Sequence, residues 1–293
     1  MTKSRPVLVT GGAGYIGSHA CKGLAEAGFY PVTYDNLCTG WRDMVRFGPL
    51  IEGDLRDGAR LRTVLQDLRP EAVLHFAALS SVADSVSNEP AYWDNNLQGS
   101  TSLLEAMADT GVAKLVFSST CAVNGNHDAG IIDETTPFAP VSPYGSTKAA
   151  VEKVIAEHVA SRGLRALCFR YFNVAGADSA AEIGERHVPE THLLPRALAA
   201  AFGQGSGAEF KIYGDDYPTR DGTCIRDYVH VMDLARAHVD AIGYLDRPQT
   251  APVLCLGSAN GLTVLEMISW VERVTGRPLP HSIAARRTGD PVT

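Results

Sequence analysis

The 293-residue sequence has no apolar run approaching the ~18 residues that a membrane span needs. Its start, MTKSRPVLVTGG, passes from a polar terminus straight into a strand pattern, without the apolar core or cleavage pattern of a signal peptide. A cytoplasmic location is therefore expected. Cysteine is sparse and unpatterned: Cys21, Cys38, Cys121, Cys168, Cys224 and Cys255 form no CxxC pair and no metal-ligand spacing. In a chain this long they read as reduced thiols, and no metal is expected. Basic runs are missing too. With 26 Lys and Arg against 33 Asp and Glu, the net charge is −7, which argues against non-specific nucleic-acid binding. An anionic ligand must be met by a few placed arginines. There is no internal repeat and no low-complexity tract.

What remains is an ordinary globular balance, 45% hydrophobic and 20% charged, in a chain long enough for one large domain or two interleaved ones. Short β-rich runs recur at residues 6–10, 31–35, 72–78, 114–119, 166–172 and 253–257, with helical patterns between them. Uniformly apolar short runs suit parallel strands buried on both faces, and the alternation suits βαβ units. From Tyr144 onward, Val151, Val154, Ile155, His158 and Val159 mark one apolar helix face. After Asn173 the texture becomes polar and rich in Gly and Pro. The expected fold is α/β: a doubly wound parallel-sheet Rossmann domain over residues 1–174, with a strand returning near 230–257. Residues 175–229 and 258–293 are expected to form a smaller C-terminal substrate-binding lobe.

The first strand runs into TGGAGYIGSH, with Gly11, Gly14 and Gly17 three residues apart. Glycines there permit a tight turn and close approach of backbone N–H groups to a pyrophosphate, and the following helix offers its positive end to the same anion. Asp35 ends the second strand 18 residues after Gly17, close to the ~20 expected of a ribose-binding acid. A carboxylate there accepts the ribose hydroxyls and repels a 2′-phosphate, which favours NAD over NADP. Asp54, in GDLRD, is a candidate adenine contact. The stretch SPYGSTK sets Tyr144 one helical turn before Lys148. An ammonium beside a phenol favours the phenolate, so Tyr144 is expected to have a lowered pKa and to serve as a base. A lone YxxxK also suits an exposed helix face.

TGGAGYIGSH, YDN, GDLRD, HFAA, YWDNN, FSSTCA, SPYGSTK, RYFN, DGTCIRDYVHV and RRTGDP occur in the order found in the extended short-chain dehydrogenase/reductases. The chain resembles that family over its whole length, and within it the UDP-glucose 4-epimerases. The resemblance implies tightly held NAD, a UDP-sugar substrate and a homodimer, with interconversion of UDP-glucose and UDP-galactose by oxidation at C4, rotation of the keto sugar and re-reduction. Tyr144 would be the base. Lys148 would hold the nicotinamide ribose, and Thr120 would bond the sugar 4-oxygen. The cofactor would be held by Gly11, Gly14, Tyr15, Ile16 and Gly17 in the loop, and by Asp35, Asn36, Leu37, Thr39 and Gly40 after the second strand. Asp54 and Leu55, then Phe76, Ala77, Ala78 and Ser80, and Asn95, Ser118 and Phe172 would complete its surroundings. Asn173, His192, Leu193, Tyr213, Arg226, Arg287 and Asp290 would bind the UDP-sugar.

The sequence departs from the family pattern in two places. Asn124 stands where the family often has Tyr. The chain ends at Thr293, whereas the resemblance leads one to expect a few dozen further residues closing the second lobe. Rival readings share the fold. Nucleotide-sugar dehydratases place an Asp-Glu pair immediately after the active-site Thr, where this chain has Cys121 and Ala122. A UDP-glucuronate decarboxylase would need Glu in place of Ala122, and a non-catalytic NAD-binding protein would need no Tyr-Lys pair. Epimerisation of UDP-GlcNAc or of UDP-xylose and UDP-arabinose stays open. His75 reads as a structural histidine, Cys121 as a packed thiol and Trp93 as core.

Overall fold

The computed structural model describes residues 5–126, 131–204, 210–287 and 291–293. Its first half lays down β1 (Pro6–Thr10), α1 (Tyr15–Glu26), β2 (Tyr30–Asp35), β3 (Leu50–Glu52), α2 (Gly58–Leu68) and β4 (Ala72–His75). Short helices α3 (Val82–Ser87) and α4 (Glu89–Tyr92) then lead through a π-helical stretch, Trp93–Gln98, into α5 (Gly99–Thr110). β5 (Lys114–Thr120), α6 (Pro143–Arg162), β6 (Arg165–Tyr171) and β7 (Asn173–Ala175) follow. Beyond them lie α7 (Leu193–Ala201), β8 (Phe210–Tyr213), β9 (Ile225–Arg226), β10 (Tyr228–His230), α8 (Val231–Tyr244), β11 (Val253–Leu256), β12 (Leu262–Thr263), α9 (Val264–Thr275) and β13 (His281–Ala284).

Seven strands form one parallel sheet in the order β11-β6-β5-β4-β1-β2-β3. The chain winds outward from β1 to β3, then restarts at β4 on the other side of β1, so the direction reverses between β1 and β4. At such a switch point the connections diverge and leave a crevice at the carboxyl ends of the strands. Alternation along each strand feeds two cores. Leu8, Val73, Leu115 and Phe117 pack with Leu61, Leu103, Met107, Val151 and Ile155 of α2, α5 and α6. Val7, Val9, Leu74, Val116 and Phe169 pack with Leu24, Leu234 and Ile242 of α1 and α8 on the opposite face. A third core gathers Ala197, Phe210, Ile212, Val264, Ile268, Val271 and Leu279 from α7, β8, α9 and the segment before β13.

The expected apolar face of α6 needs correction at one end. Val151 and Ile155 are buried, but Val159 is 44% exposed. The buried stripe instead runs back through Thr147, Lys148 and Glu152, polar residues that no apolar count would include. Trp93 is not core either: it is part-buried, and its indole Nε1 donates to Glu89 Oε1 at 3.0 Å. The helix itself is well specified. Ser142 caps it by accepting from Gly145 N at 3.2 Å, Pro143 occupies its first turn, and Gly163 ends it at φ 71°.

Candidate active site

Turning at the carboxyl end of β1 requires glycine for steric reasons. Gly11 has φ 73°, and a Cβ there would lie 2.5 Å from Ala77 N; one on Gly17 would lie 2.2 Å from Gly11 O. Gly14 is the N-cap of α1. No side chain caps that helix, and no acidic residue lies in its first turn, so its positive end suits an anion. Asp35 closes the turn from β2. One carboxylate oxygen accepts from Ala13 N at 3.0 Å and the other from Leu37 N at 2.8 Å, which leaves further lone pairs. Burial raises its pKa, and the two backbone donors oppose that rise.

The segment after β2 wraps the same loop. Trp41 N donates to Ala13 O at 2.9 Å, and Gly40 approaches Ala13 so closely that a Cβ would sit 2.9 Å from the Ala13 side chain. Leu37 takes φ 59°. Asn36 donates to Asp54 Oδ2 at 3.0 Å, and Arg56 holds the Asp54 carboxyl well below the usual carboxylate range. Thr39 and Ser80 are exposed, Leu55 is buried, and Tyr15, Ile16 and Asn95 are part-buried. Tyr15 donates its hydroxyl to Gly176 O at 2.6 Å. β4 stops at His75, so Phe76, Ala77 and Ala78, expected as strand, instead turn past the glycine loop. His75 is a structural histidine: its ring nitrogens lie 2.7 Å from Thr10 Oγ1 and 2.8 Å from Ser100 Oγ, and burial pushes it down to about 3. Asn96, which sequence reasoning missed, is almost fully buried. It bonds Leu79 N at 2.8 Å and Leu79 O at 3.0 Å and so pins the loop after β4.

β5 and α6 carry the candidate reactive groups. Thr120 Oγ1 accepts from Ala122 N at 3.1 Å, and its side chain is near enough to Tyr144 to draw the phenol pKa down. Lys148 is buried; its Nζ donates to Ser118 O at 2.8 Å and sits 4.7 Å over the Phe117 ring. The proton balance corrects the expected lowering. Burial pushes Tyr144 up to about 12, only partly opposed by Thr120, and pushes Lys148 down to about 7. Desolvation outweighs the attraction that helical spacing suggests. Cys121 is buried and its thiol is pushed well up, as a packed thiol should be. Asn124 is also buried, donating to Thr136 O at 2.7 Å.

The remaining candidates come from β6 onward. Phe172 follows β6, and Asn173 donates its Nδ2 to Asp227 O at 3.1 Å. His192 is the N-cap of α7, which begins at Leu193, and its Nδ1 lies 3.0 Å from carboxylate oxygens of both Glu185 and Glu190. The Glu185 hydrogen bond is the larger of the influences that raise its pKa. With His187 these groups form a cluster whose ligand atoms lie within 4.8 Å of one another, a grouping the sequence reading did not make. Carboxylate–imidazole pairing accounts for it. Arg287 stacks over Tyr213 at 4.6 Å. Arg226 Nη1 donates to Ile225 O at 2.7 Å and to Pro291 O at 3.0 Å. Asp290 lies outside the described residues.

A doubly wound sheet with a glycine turn, a strand-end carboxylate and a Tyr-x-x-x-Lys helix whose lysine is buried defines a dinucleotide-dependent α/β enzyme. The chain belongs to the NAD dependent epimerase/dehydratase family, whose model matches residues 7–255. It is 49% identical to a UDP-glucose 4-epimerase of Rhizobium leguminosarum bv. trifolii over 97% of this chain and 86% of that protein. Its fold matches the crystal structure of UDP-glucose 4-epimerase from Brucella ovis in complex with NAD at a TM-score of 0.94, with 46% identity over 98% of this chain and 88% of that one. A third relative is the UDP-glucose 4-epimerase of Stenotrophomonas maltophila with bound NAD and formylated UDP-arabinopyranose (TM-score 0.93, 42% identity, 98% and 88% coverage).

Proposed function

We propose that the protein is an isomerase that uses NAD to interconvert UDP-glucose and UDP-galactose at C4. The observation that carries this reading is Lys148, buried one turn beyond Tyr144 on α6 and tied by its Nζ to Ser118 O of β5, the strand that ends in Thr120. The residues present fit the cofactor. Backbone atoms crowd Gly11 and Gly17, α1 has no side-chain cap, and Asp35 retains acceptor capacity for a ribose. Bound NAD supplies a hydride acceptor at sugar C4 and returns the hydride within the same cycle.

The chain's own groups handle protons and position. As the phenolate, Tyr144 takes the proton of the 4-hydroxyl, becomes the neutral phenol and gives the proton back on re-reduction, with Thr120 orienting the oxygen. Lys148 supplies a positive charge that offsets the cost of a buried phenolate, and it holds the nicotinamide ribose. Asn173, His192, Leu193, Tyr213, Arg226, Arg287 and Asp290 hold the UDP-sugar, the guanidinium groups meeting the diphosphate. Cys121 and Ala122 argue against a dehydratase, because a buried neutral thiol and a methyl group cannot move protons on carbon. We place the enzyme in the cytoplasm; no helix among the described residues is long and apolar enough to cross a membrane.

UDP-glucose deuterated at C4 should give UDP-galactose with the label still at C4, because the hydride never leaves the site. Mass spectrometry and NMR of the product check this. Label lost to solvent, or a water-eliminated 4-keto-6-deoxy sugar, would end the epimerase reading. The working unit is a homodimer on the same reading, so light scattering should return twice the 31.3 kDa chain mass; a monomeric mass with full turnover would remove that part.

A further inference from the structure

Three consecutive residues of β5 are tied to three successive turns of α6. Thr120 draws down the pKa of Tyr144, Ser118 O accepts from Lys148 Nζ at 2.8 Å, and Ser119 Oγ donates to Glu152 Oε1. The first two belong to the catalytic groups. The third leads to a buried ion pair. Arg170 of β6 reaches Glu152 with Nε at 3.1 and 3.2 Å and with Nη2 at 2.7 Å, and the two side chains are only 6% and 4% exposed. The Arg170 guanidinium also stacks over Phe138 at 4.7 Å.

A buried ion pair is a poor means of gaining stability, since the desolvation of two charges consumes most of what their attraction returns and apolar residues of the same volume often do as well. Its position offers another reason. Glu152 lies one turn beyond Lys148, so their side chains leave the same helix face. We propose that Glu152 is a positioning residue of the reaction, a fixed buried negative charge that keeps the Lys148 ammonium protonated while Ser119 and Arg170 hold its carboxylate in place. The inference rests on the Tyr144–Lys148 reading given above.

The other groups around Lys148 leave this work to Glu152. Tyr144, on its own helix, is neutral when its pKa is pushed up to about 12. Cys168 of β6 is a buried thiol pushed well above its ordinary range, and His75 of β4 is pushed down to about 3, so neither carries charge near neutrality. Ser118 and Phe117 of β5 offer a carbonyl dipole and a ring face. Arg170 grips both oxygens of the Glu152 carboxylate; of the groups that raise the Lys148 pKa against a larger desolvation, Glu152 comes first and Cys168 second. Even with Glu152 present, burial brings Lys148 to about 7. The sign follows: without the carboxylate, Lys148 loses its proton at lower pH still, and activity that needs the ammonium fails earlier on the alkaline side.

The test uses the NAD-loaded enzyme and its Glu152→Gln variant, with two readouts. Titration of ¹³C-labelled lysine, assigned by a Lys148→Met variant, should place the Lys148 midpoint about one pH unit lower in Glu152→Gln. The alkaline limb of the kcat profile should move down with it, so that the variant loses about tenfold more activity above the midpoint than at pH 6. An unmoved midpoint, or a loss equal at every pH, would overturn the proposal and leave Glu152 a packing residue. Should Glu152→Gln fail to fold with Arg170 unpaired, the double variant Glu152→Gln/Arg170→Gln removes both charges; loss of the guanidinium offsets part of the effect, so its midpoint should move down by less, and an unmoved or raised midpoint would overturn the proposal. Tyr144→Phe assayed alongside separates the two readings. Full activity in it would defeat the Tyr–Lys assignment, whereas its collapse together with an unmoved Lys148 midpoint would defeat only the role of Glu152.

Discussion

Tyr144→Phe is expected to lower turnover about 10²–10⁴-fold, the usual worth of a positioned acid-base group. UDP-sugar affinity should stay close to that of the parent. The substitution keeps the ring packing at the head of α6 and removes one oxygen. What disappears is the atom proposed to exchange a proton with the sugar 4-oxygen. Stopped-assay kinetics and calorimetric binding of UDP-glucose separate the two effects. An unchanged kcat would reduce SPYGSTK to an ordinary helix face. The pKa values make the point sharper. Burial pushes Tyr144 up to about 12 and Lys148 down to about 7, so desolvation opposes a charge on either group.

Gly17→Ala should cost the protein its cofactor and much of its thermal stability. An added methyl would sit 2.2 Å from Gly11 O, 2.8 Å from Gly11 C and 2.9 Å from Gly12 Cα, all backbone atoms of the turn proposed to meet the pyrophosphate. No side chain can rotate away, so α1 must part from the loop. Overpacking of this kind costs about 1–3 kcal/mol or more, and the displaced amides no longer converge on an anion. NAD released by denaturation should fall below about a tenth of the parent's content. Gly23→Ala on the same helix is the control: its methyl would meet Val239 Cγ2 at an ordinary 3.4 Å, and replacing a mid-helix glycine should add about 0.5–1 kcal/mol. A Gly17→Ala protein that retains its NAD would show that the close approach is not what glycine is there for.

Much of this architecture is legible from the chain. All six apolar runs became strands of the central sheet, because a strand buried on both faces must be apolar throughout. β3 escaped notice: it is three residues long and ends in Glu52, too little for any periodicity. The same holds for β9 and β12, two residues each, whose pairing is decided by the elements packed around them. Gly11, Gly17 and Asp35 announced themselves because steric and ribose-binding demands admit few alternatives. The Glu152–Arg170 pair did not. A charged residue inside a helix pattern looks solvated until the strand that buries it is in place. The direction of the Tyr144 shift was misjudged for the same reason, since spacing along a helix shows who the neighbours are but not how much water they have lost.

The position of β11 sets a schedule for synthesis. The strand pairs with β6, yet roughly eighty residues separate the two in the chain, including those of α7 and α8. At about 5–20 residues per second of translation, β6 spends about 4–16 s as an open sheet edge before its neighbour is made. Leu167 and Phe169, buried in the finished protein, lie along that edge. For those seconds the nascent chain carries an apolar strand with unpaired backbone groups, the combination most prone to pairing with another chain. The late return of β11 therefore does more than widen the sheet: it ends the interval in which a ribosome-bound chain can be captured by a neighbour or by a chaperone.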